Sequence, residues 1–281
     1  MNIISASRRT DIPAFYPDWL IEKIRLGKVI VRDPYRIKYR TFSLLKKDVA
    51  AFVFWTRNPA PLIPYLKEIK EGGFPFYFLM TITGMGKPLE NRNPDLEDAI
   101  DSFIEISEKY SPIFWRFDPI LYRGTPEEEE EIIERFNKIL LRIAGKTNRC
   151  YISFMQSYKK QENRFNAIGY SYKEAKENKR NELANKLGEI AKSKGVTLYS
   201  CCSDYLDGDF IQPGSCINKE TIEEISGESI EIQQRKTRKQ CNCIQSIDIG
   251  IYNTCFHECL YCYATANYET VLKKLQKKVE K

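Results

Sequence analysis

"VAAFVFW" (residues 49–55) is an uninterrupted apolar run, and "APLIPYLKEIKEG" (60–72) follows it with the spacing of an amphipathic helix. A short continuous apolar run between polar segments is typical of a strand that is buried on both faces, as in a parallel sheet. The two stretches therefore predict one strand–helix unit. Such a unit is stable only beside other units of the same kind.

The unit recurs along the chain. Further strands are predicted at 2–7, 74–82, 112–117, 149–155, 196–202 and 246–252, and further helices near 17–27, 95–110, 125–145, 173–194 and 264–278. Asp95 and Thr125 stand where N-caps are expected, and Glu128 completes a capping box with Thr125. Strands that alternate with helices predict an α/β fold, here a partial (β/α) barrel of mainly parallel strands that is open or closed.

Length and composition indicate one folded domain. The chain has 281 residues, of which 42% are hydrophobic, enough for a sizeable core. We predict a single barrel-like domain over 1–281, with a Cys-bearing insertion at 203–245 and a strand–loop–helix unit at 246–281. No apolar run reaches the roughly 18 residues of a spanning helix and no signal peptide precedes the first strand, so we expect a cytoplasmic protein without membrane contact.

Sulfur is the expected metal ligand. Nine cysteines in a cytoplasmic chain indicate metal binding or redox chemistry rather than disulfides. Because His257 is the only histidine, sites built on several imidazoles are excluded. We interpret His257 as a loop residue that supports the site rather than as a ligand.

Arginines follow several of the predicted strands. Arg8 and Arg9 follow the first, Arg57 follows "VAAFVFW", and Arg116 lies in "WRFDP" with Asp118. Because ligands of parallel sheets bind at the carboxyl ends of the strands, these guanidinium groups are predicted to converge there and to grip an anionic group. The alternative is internal ion pairing, for example between Arg116 and Asp118.

The stretch "SIDIGIYNTCFHECLYCYA" (246–264) contains three cysteines, Cys255, Cys259 and Cys262, on a loop between a predicted strand and a predicted helix. Three thiolates can hold a [4Fe–4S] cluster and leave its fourth iron open to a small chelating molecule. A structural zinc that takes a fourth cysteine is the alternative.

This spacing, Cys-x3-Cys-x2-Cys with Tyr261 before the last cysteine, resembles the motif of the radical S-adenosylmethionine (SAM) superfamily, and it looks most like the spore photoproduct lyase group. The resemblance implies that Cys255, Cys259 and Cys262 hold the cluster, that Tyr261 lies beside the adenine of SAM, and that a flavodoxin or ferredoxin supplies electrons. With the resemblance we assign Arg8, Arg9 and Arg57 to cofactor binding, and Arg57, Arg116 and Asp118 to the catalytic site.

Over its whole length the chain resembles an uncharacterised bacterial family, a domain of unknown function. The stretches that carry this resemblance are "ISASRRTDIPAFYPDW", "FWTRNP", "WRFDPI" and "SIDIGIYNTCFHECLYCYA". In the radical SAM superfamily the motif follows the first strand, whereas here it follows the last. A circular permutation explains this order, and it predicts that the strand near 246–252 lies parallel to the strand near 2–7, with the motif beside the arginines.

A second group of cysteines precedes the motif. The cysteines are Cys202, Cys216, Cys241 and Cys243, and Cys201 can replace Cys202. Four thiolates close a site, which predicts an auxiliary [4Fe–4S] cluster; the alternatives are a structural zinc and thiols that bind no metal. Cys150 lies in an apolar strand and is interpreted as a packing residue.

Three functions are compatible with the sequence. The first is a radical SAM-like enzyme with an unknown substrate. The second is a non-catalytic iron–sulfur protein that carries electrons or senses redox state. The third is a zinc-stapled protein that binds nucleic acid, for which the basic run 235–239 is the main indication.

Overall fold

Strands and crossover helices alternate from the amino terminus to residue 200 in the computed structural model, which describes residues 1–34, 38–110, 112–232, 240–266, 269–271 and 273. The strands are β1 Asn2–Ala6, β2 Lys28–Arg32, β3 Tyr39–Ser43, β4 Val49–Thr56, β5 Phe76–Thr81, β6 Ile113–Ile120, β7 Arg149–Phe154, β8 Thr197–Ser200, β9 Ile211–Pro213 and β10 Ile247–Asp248. The helices are α1 Ile12–Phe15, α2 Pro17–Arg25, α3 Ile63–Glu71, α4 Leu96–Lys109, α5 Pro126–Ile143, α6 Lys159–Ala167, α7 Glu177–Ser193 and α8 Lys219–Ser226, with a 3₁₀ turn at Lys46–Asp48.

Eight of the described strands form one sheet in the order β10-β1-β4-β5-β6-β7-β8-β9. Every neighbouring pair in it is parallel, so the predicted α/β fold with a mainly parallel sheet is confirmed. From β1 to β8 the spatial order follows the chain without reversal. Because crossovers between parallel strands are right-handed, an order without reversal puts the crossover helices on one face of the sheet.

The sequence left undecided whether the sheet is open or closed. In the described part of the chain, β9 and β10 stand at opposite ends of the strand order and no pairing joins them. The sheet is therefore open.

The two faces of the sheet are both buried, but by different parts of the chain. Phe52 and Phe54 of β4 pack into the core that helices α2 to α5 and α7 cover. Their neighbours Val53 and Trp55 point to the other face, where Cys216 and the segment after it pack. Alternation along a strand thus explains why "VAAFVFW" is apolar at every position.

Several elements were not predicted from the sequence. They are the antiparallel hairpin of β2 and β3, the short strand β9, the helices α1, α6 and α8, and the 3₁₀ turn. β9 lies inside the segment 203–245 and extends the main sheet beside β8, so that segment is not irregular throughout.

Two local predictions need correction. The carboxylate of Glu128 accepts from the backbone N–H and Nε of Arg123 at 2.6 and 2.9 Å, so only the Thr125 half of the capping box forms. Asp95 stands at the N-cap of α4 but makes no capping hydrogen bond. Of the predicted tail helix 264–278, residues 269–271 and 273 are helical and residues 264–266 are not, whereas 267–268, 272 and 274–278 lie outside the described residues.

Candidate functional site

The last strand lies beside the first. β10 pairs in parallel with β1, with Ile4 opposite Ile247 and Ser5 opposite Asp248. This confirms the neighbours predicted for the carboxyl-terminal strand, although β10 has two residues where 246–252 was predicted. The strand ends at Asp248.

The Asp248 carboxylate ties the loop after β10 to the loop after β1. It accepts hydrogen bonds from the hydroxyl of Ser7 at 2.7 Å, from the backbone N–H of Arg8 at 2.9 Å and from the N–H of Gly250 at 3.0 Å. A Cβ at Gly250 would lie 1.9 Å from the Ser7 hydroxyl oxygen, so only glycine permits this close approach.

The segment after β10 that carries Cys255, Cys259 and Cys262 is called the cysteine loop, or motif loop. It crosses the carboxyl ends of β1, β4 and β5. Hydrogen bonds in both directions join this loop to residues that follow those strands. These bonds join Tyr16 Oη to Thr254 O at 2.6 Å, Arg92 N to His257 O at 3.1 Å, Leu260 N to Leu89 O at 3.0 Å, and Tyr263 Oη to Arg8 O at 2.8 Å. The three predicted motif cysteines therefore stand at the edge of the sheet where ligands of parallel sheets bind.

His257 is buried and faces a carboxylate rather than the sulfurs. Its Nε2 lies 2.7 Å from Oδ2 of Asp11, which also accepts from the backbone N–H of Arg57 at 2.7 Å. The other carboxylate oxygen of Asp11 caps α1 through the N–H of Ala14. Asp11 thus joins the first helix, the end of β4 and the cysteine loop, and His257 supports the loop.

Tyr261 is buried in a polar network. Its hydroxyl donates to Oε1 of Glu90, and the guanidinium of Arg57 contacts both that hydroxyl and, at 2.7 Å, the same carboxylate oxygen. The hydroxyl of Thr83 also donates to Oε1 of Glu90, at 2.6 Å. Burial would raise the pKa of Glu90, but the charge of Arg57 and the hydrogen bonds from Thr83 and Tyr261 outweigh burial and hold the pKa below its usual range.

The three motif cysteines share one loop and influence one another. Cys259 is buried, whereas Cys255 and Cys262 are partly exposed. Burial raises the pKa of Cys255 well above its usual value, with the charges of Cys262 and Asp11 adding to the effect. Burial also raises the pKa of Cys259 to about 12, against the lowering effect of Arg57. A bound metal ion would stabilise these thiolates by replacing their protons.

The donor set is all sulfur, which is the set that a [4Fe–4S] cluster takes. As the side chains stand, no group of three or more described His, Cys, Asp or Glu residues is arranged to hold a metal ion. The fit to a cluster therefore rests on the chemistry of the donors and on their common loop.

Arg164 of α6 supports the loop from the other side. Its guanidinium donates to the carbonyl of Cys262, and at 3.4 Å to the carbonyls of Cys259 and Thr265. Burial lowers the pKa of Arg164, which the charges of Cys262 and Cys259 partly oppose. A cation behind the loop would offset negative charge on the thiolates.

The arginines that were assigned to cofactor binding and catalysis lie at this edge of the sheet, and all four are paired with carboxylates. Arg8 and Arg9 approach Asp248 at 3.6 and 4.0 Å, and Arg57 pairs with Glu90. Arg116 pairs with Asp118, whose other oxygen accepts from the hydroxyl of Ser153. The geometry thus agrees with the ion-pair alternative for each of them.

Trp55 lies between two of these arginines. The guanidinium carbons of Arg8 and Arg116 lie 5.5 and 4.7 Å from its ring centroid, within the range of cation–π contacts. The indole Nε1 of Trp55 and the Nε of Arg116 are buried without a hydrogen-bond partner.

The second group contains five cysteines, because Cys201 and Cys202 both join it. The Sγ atoms of Cys201 and Cys216 lie 3.5 Å apart. The other side-chain contacts join Cys201 to Cys202, Cys202 to Cys241, Cys241 to Cys243, and Cys243 to Cys216. We call this closed set the five-cysteine ring.

Cys150 stands apart from both groups. It is fully buried in the core on the helix-covered face, and burial raises the pKa of its thiol well above the usual value. This position agrees with its interpretation as a packing residue.

Other surface features lie away from the cysteines. A cavity of about 430 Å³ opens at the amino-terminal strand ends and is lined in part by Phe114, Thr147 and Arg149. None of the described helices is both long and apolar enough to span a bilayer. The basic run 235–239, on which the nucleic-acid hypothesis depends, lies outside the described residues.

Sequence reasoning missed several residues that build the site. Asp11, Glu90, Arg164 and Asp248 each bind the cysteine loop or hold a side chain beside it. Asp11 comes shortly after the predicted strand 2–7, so its position was a usable signal. Asp248 lies inside the predicted strand 246–252, and only its acidic side chain between two isoleucines sets it apart. Glu90 and Arg164 come from a long loop and from an unpredicted helix, and nothing in the local sequence marks them.

Comparison with known proteins identifies the family. No curated protein matches this chain. Among solved structures, two of the pneumococcal exo-beta-D-N-acetylglucosaminidase StrH are similar at 12% identity, with TM-scores of 0.30 and 0.29. Each match covers 76% of this chain, which spans 58% and 59% of those longer chains. A likeness this low carries no argument about function. The sequence model of the domain of unknown function DUF1848 matches residues 3–264, and the chain therefore belongs to that family.

Proposed function

We propose that this protein is a radical SAM-like enzyme that cleaves SAM reductively to begin radical chemistry on a substrate still to be identified. The observation that carries the proposal is the pairing of β10 with β1, since it brings Cys255, Cys259 and Cys262 to the carboxyl edge of a parallel sheet. This is the edge at which enzymes with such sheets hold their ligands.

A circular permutation of a partial (β/α) barrel is part of the proposal. In the radical SAM superfamily the cluster loop follows the strand at one end of the sheet. β10 occupies an end of the strand order, with β1 beside it and the crossover units following in chain order. That order is what results when the first strand–loop–helix unit of a barrel is moved to the end of the chain.

Cys255, Cys259 and Cys262 would hold the cluster. When bound, the cluster would supply one electron to SAM and so generate the radical that abstracts hydrogen. The chain would orient the loop through Asp11 and His257, and Arg164 would offset its negative charge. Tyr261 is anchored by Glu90 and Arg57, which fixes its ring beside Cys262 and gives it a defined position for contact with adenine.

A non-catalytic iron–sulfur protein is the second candidate, and one observation favours it. Arg8, Arg9, Arg57 and Arg116 are all engaged by carboxylates, so none of them is held ready for an anionic ligand. Such a protein would exchange electrons with a ferredoxin or flavodoxin and leave SAM intact.

An anaerobic assay separates the two candidates. The protein is reconstituted with iron and sulfide, reduced, and mixed with SAM, and 5′-deoxyadenosine is measured. We expect 5′-deoxyadenosine from the wild-type protein and from Cys150→Ala, but not from Cys259→Ala. Cys150 lies in the core under the crossover helices, in a different hydrophobic cluster from Cys259. A reduced, iron-loaded wild-type protein that leaves SAM intact would refute the enzyme and favour the electron carrier.

A further inference from the structure

The five-cysteine ring lies on the face of the sheet that the crossover helices do not cover. Its buried members Cys216, Cys241 and Cys243 pack against side chains from the central strands, including Tyr77 and Tyr151. The hydroxyl of Tyr77 donates to the carbonyl of Cys216 at 2.8 Å, and that of Tyr151 donates to the carbonyl of Ser215 at 3.2 Å. The ring is thus built into the core of this face.

Three separate stretches of chain converge to make the ring. Cys201 and Cys202 follow β8, and the N–H of Cys201 is held by the carbonyl of Ile152 at 2.7 Å. Cys216 precedes α8, and Cys241 and Cys243 come from the segment before β10. Hydrogen bonds join the last two of these segments. Ile244 N donates to the carbonyl of Ile217 at 2.9 Å, and Ile217 N donates to Cys243 Sγ at 3.4 Å.

Thiols are poor partners for one another. A thiol is a weak donor and a weak acceptor, so five of them in mutual contact gain little from hydrogen bonding. Ligation to metal gives the same sulfurs a strong interaction, because each binds as a thiolate. Structural burial alone explains one cysteine such as Cys150, but it does not explain five sulfurs from distant parts of the chain in one closed contact set.

The neighbourhood of the ring connects it to the motif loop. The positive charge of Arg116 acts on Cys201 and Cys216 of the ring and also on Tyr263 of the motif loop. The guanidinium groups of Arg116 and Arg8 both contact the Trp55 ring, and the backbone carbonyl of Arg8 accepts a hydrogen bond from the hydroxyl of Tyr263. A metal centre at the ring would therefore lie beside residues that line the proposed active site. This position suits a redox centre better than a purely structural metal ion that stabilises a peripheral loop.

We propose that the five-cysteine ring binds a second [4Fe–4S] cluster, with Cys216, Cys241 and Cys243 as three ligands and Cys201 or Cys202 as the fourth. The cluster needs four thiolates, so one of the two adjacent cysteines that follow β8 remains free. As the side chains stand, the sulfurs contact one another, with 3.5 Å between Cys201 and Cys216, and they must move apart to surround a cubane. This centre does not depend on the proposed cleavage of SAM, because its ligands are separate from those of the motif.

Iron content of two complementary variants tests the proposal. Cys255→Ala/Cys259→Ala/Cys262→Ala removes the motif ligands, and Cys241→Ala/Cys243→Ala removes two ring ligands. After anaerobic reconstitution with ferrous iron and sulfide, we expect about eight irons in the wild-type protein and about four in each variant, since each cubane contains four. Cys150→Ala is the matched control and should retain the wild-type value.

The motif variant decides the matter even if the ring variant fails to fold. It leaves the ring intact, so we expect it to remain brown, with about four irons, sulfide in equal amount and a reduced-state electron paramagnetic resonance signal of a [4Fe–4S] cluster. A motif variant that folds, as judged by circular dichroism, and holds no iron would overturn the proposal. Stoichiometric zinc in place of iron in that variant would overturn it as well. Neither result would test SAM cleavage by the motif cysteines. That activity is tested separately, by measuring 5′-deoxyadenosine produced by the Cys241→Ala/Cys243→Ala protein.

Discussion

Ser5 of β1 and Asp248 of β10 are register partners in neighbouring parallel strands, although they are 243 residues apart in the chain. The Asp248 carboxylate extends this pairing beyond the strand ends, because it binds the hydroxyl of Ser7 and the N–H of Arg8. This one contact region fixes where the cysteine loop begins. The loop then lies over the carboxyl ends of three strands, and the candidate site results.

Asp248→Asn should detach the cysteine loop from the first strand. The substitution removes the charge that pairs with Arg8 and Arg9 in a largely buried setting, and breaking such a pair costs roughly 3–5 kcal/mol of the free energy of unfolding. Urea denaturation measures this loss. Glu68→Gln, which breaks an exposed pair with Arg25, is the control and should cost far less, because water screens the pair. Equal losses in the two variants would contradict the role given to Asp248.

Gly250→Ala should destabilise the same junction by overpacking. Its Cβ would lie 1.9 Å from Ser7 Oγ and 2.6 Å from Ser7 Cβ, and overpacking of this kind typically costs about 1–3 kcal/mol. Ser7→Gly removes both of the atoms that would clash. We therefore expect the free energy lost in Gly250→Ala/Ser7→Gly to be smaller than the sum of the two single losses, and additive losses would show that the clash is not the cause.

His257→Asn should lower stability and leave metal binding intact. The imidazole Nε2 contacts Asp11, and loss of a hydrogen bond to a buried charged group costs roughly 1.5–3 kcal/mol. Iron content after reconstitution should equal that of the wild-type protein, because no cysteine is touched. A fall in iron as large as that of Cys259→Ala would identify His257 as a ligand.

Glu90→Gln should show a pH-dependent loss of stability. The pKa of Glu90 is held below its usual range in the folded protein by Arg57, Thr83 and Tyr261, against the effect of burial. A carboxyl whose pKa is depressed by folding contributes stability above its unfolded pKa of about 4.3, and this contribution disappears as the pH falls through the folded pKa. The difference in unfolding free energy between wild type and Glu90→Gln should be greatest near neutral pH and shrink below about pH 4.3. A difference that stays constant or grows on acidification would be inconsistent with this network.

Arg57→Ala and Arg57→Ala/Glu90→Ala distinguish ion pairing from ligand binding. Arg57 is bound to a nearly buried carboxylate, so the single variant leaves Glu90 without its charge partner, and contacting residues of this kind couple by about 0.5–3 kcal/mol. We expect the double variant to lose less stability than the sum of the single variants. Additive losses, together with SAM binding weakened in Arg57→Ala alone, would instead assign Arg57 to the ligand.

The strand–helix order was readable from local pattern. Continuous apolar runs such as 49–55 and amphipathic stretches such as 126–143 carry their own periodicity, so their elements were predicted within a few residues of their observed ends. The hairpin of β2 and β3 and the helices α6 and α8 were missed because their short segments bury few side chains and carry weak periodic signals.

The sequence by itself determined the parallel α/β fold, the all-sulfur character of any metal site and the three motif cysteines, because spacing and composition are local properties. Only the tertiary structure decided which carboxylates occupy the arginines, that Asp11 rather than a metal faces His257, and that Cys201 and Cys202 both join the second group. These contacts join residues far apart in the chain. Their partners are selected by the register of the sheet and the path of the loops, which no local pattern in the chain specifies.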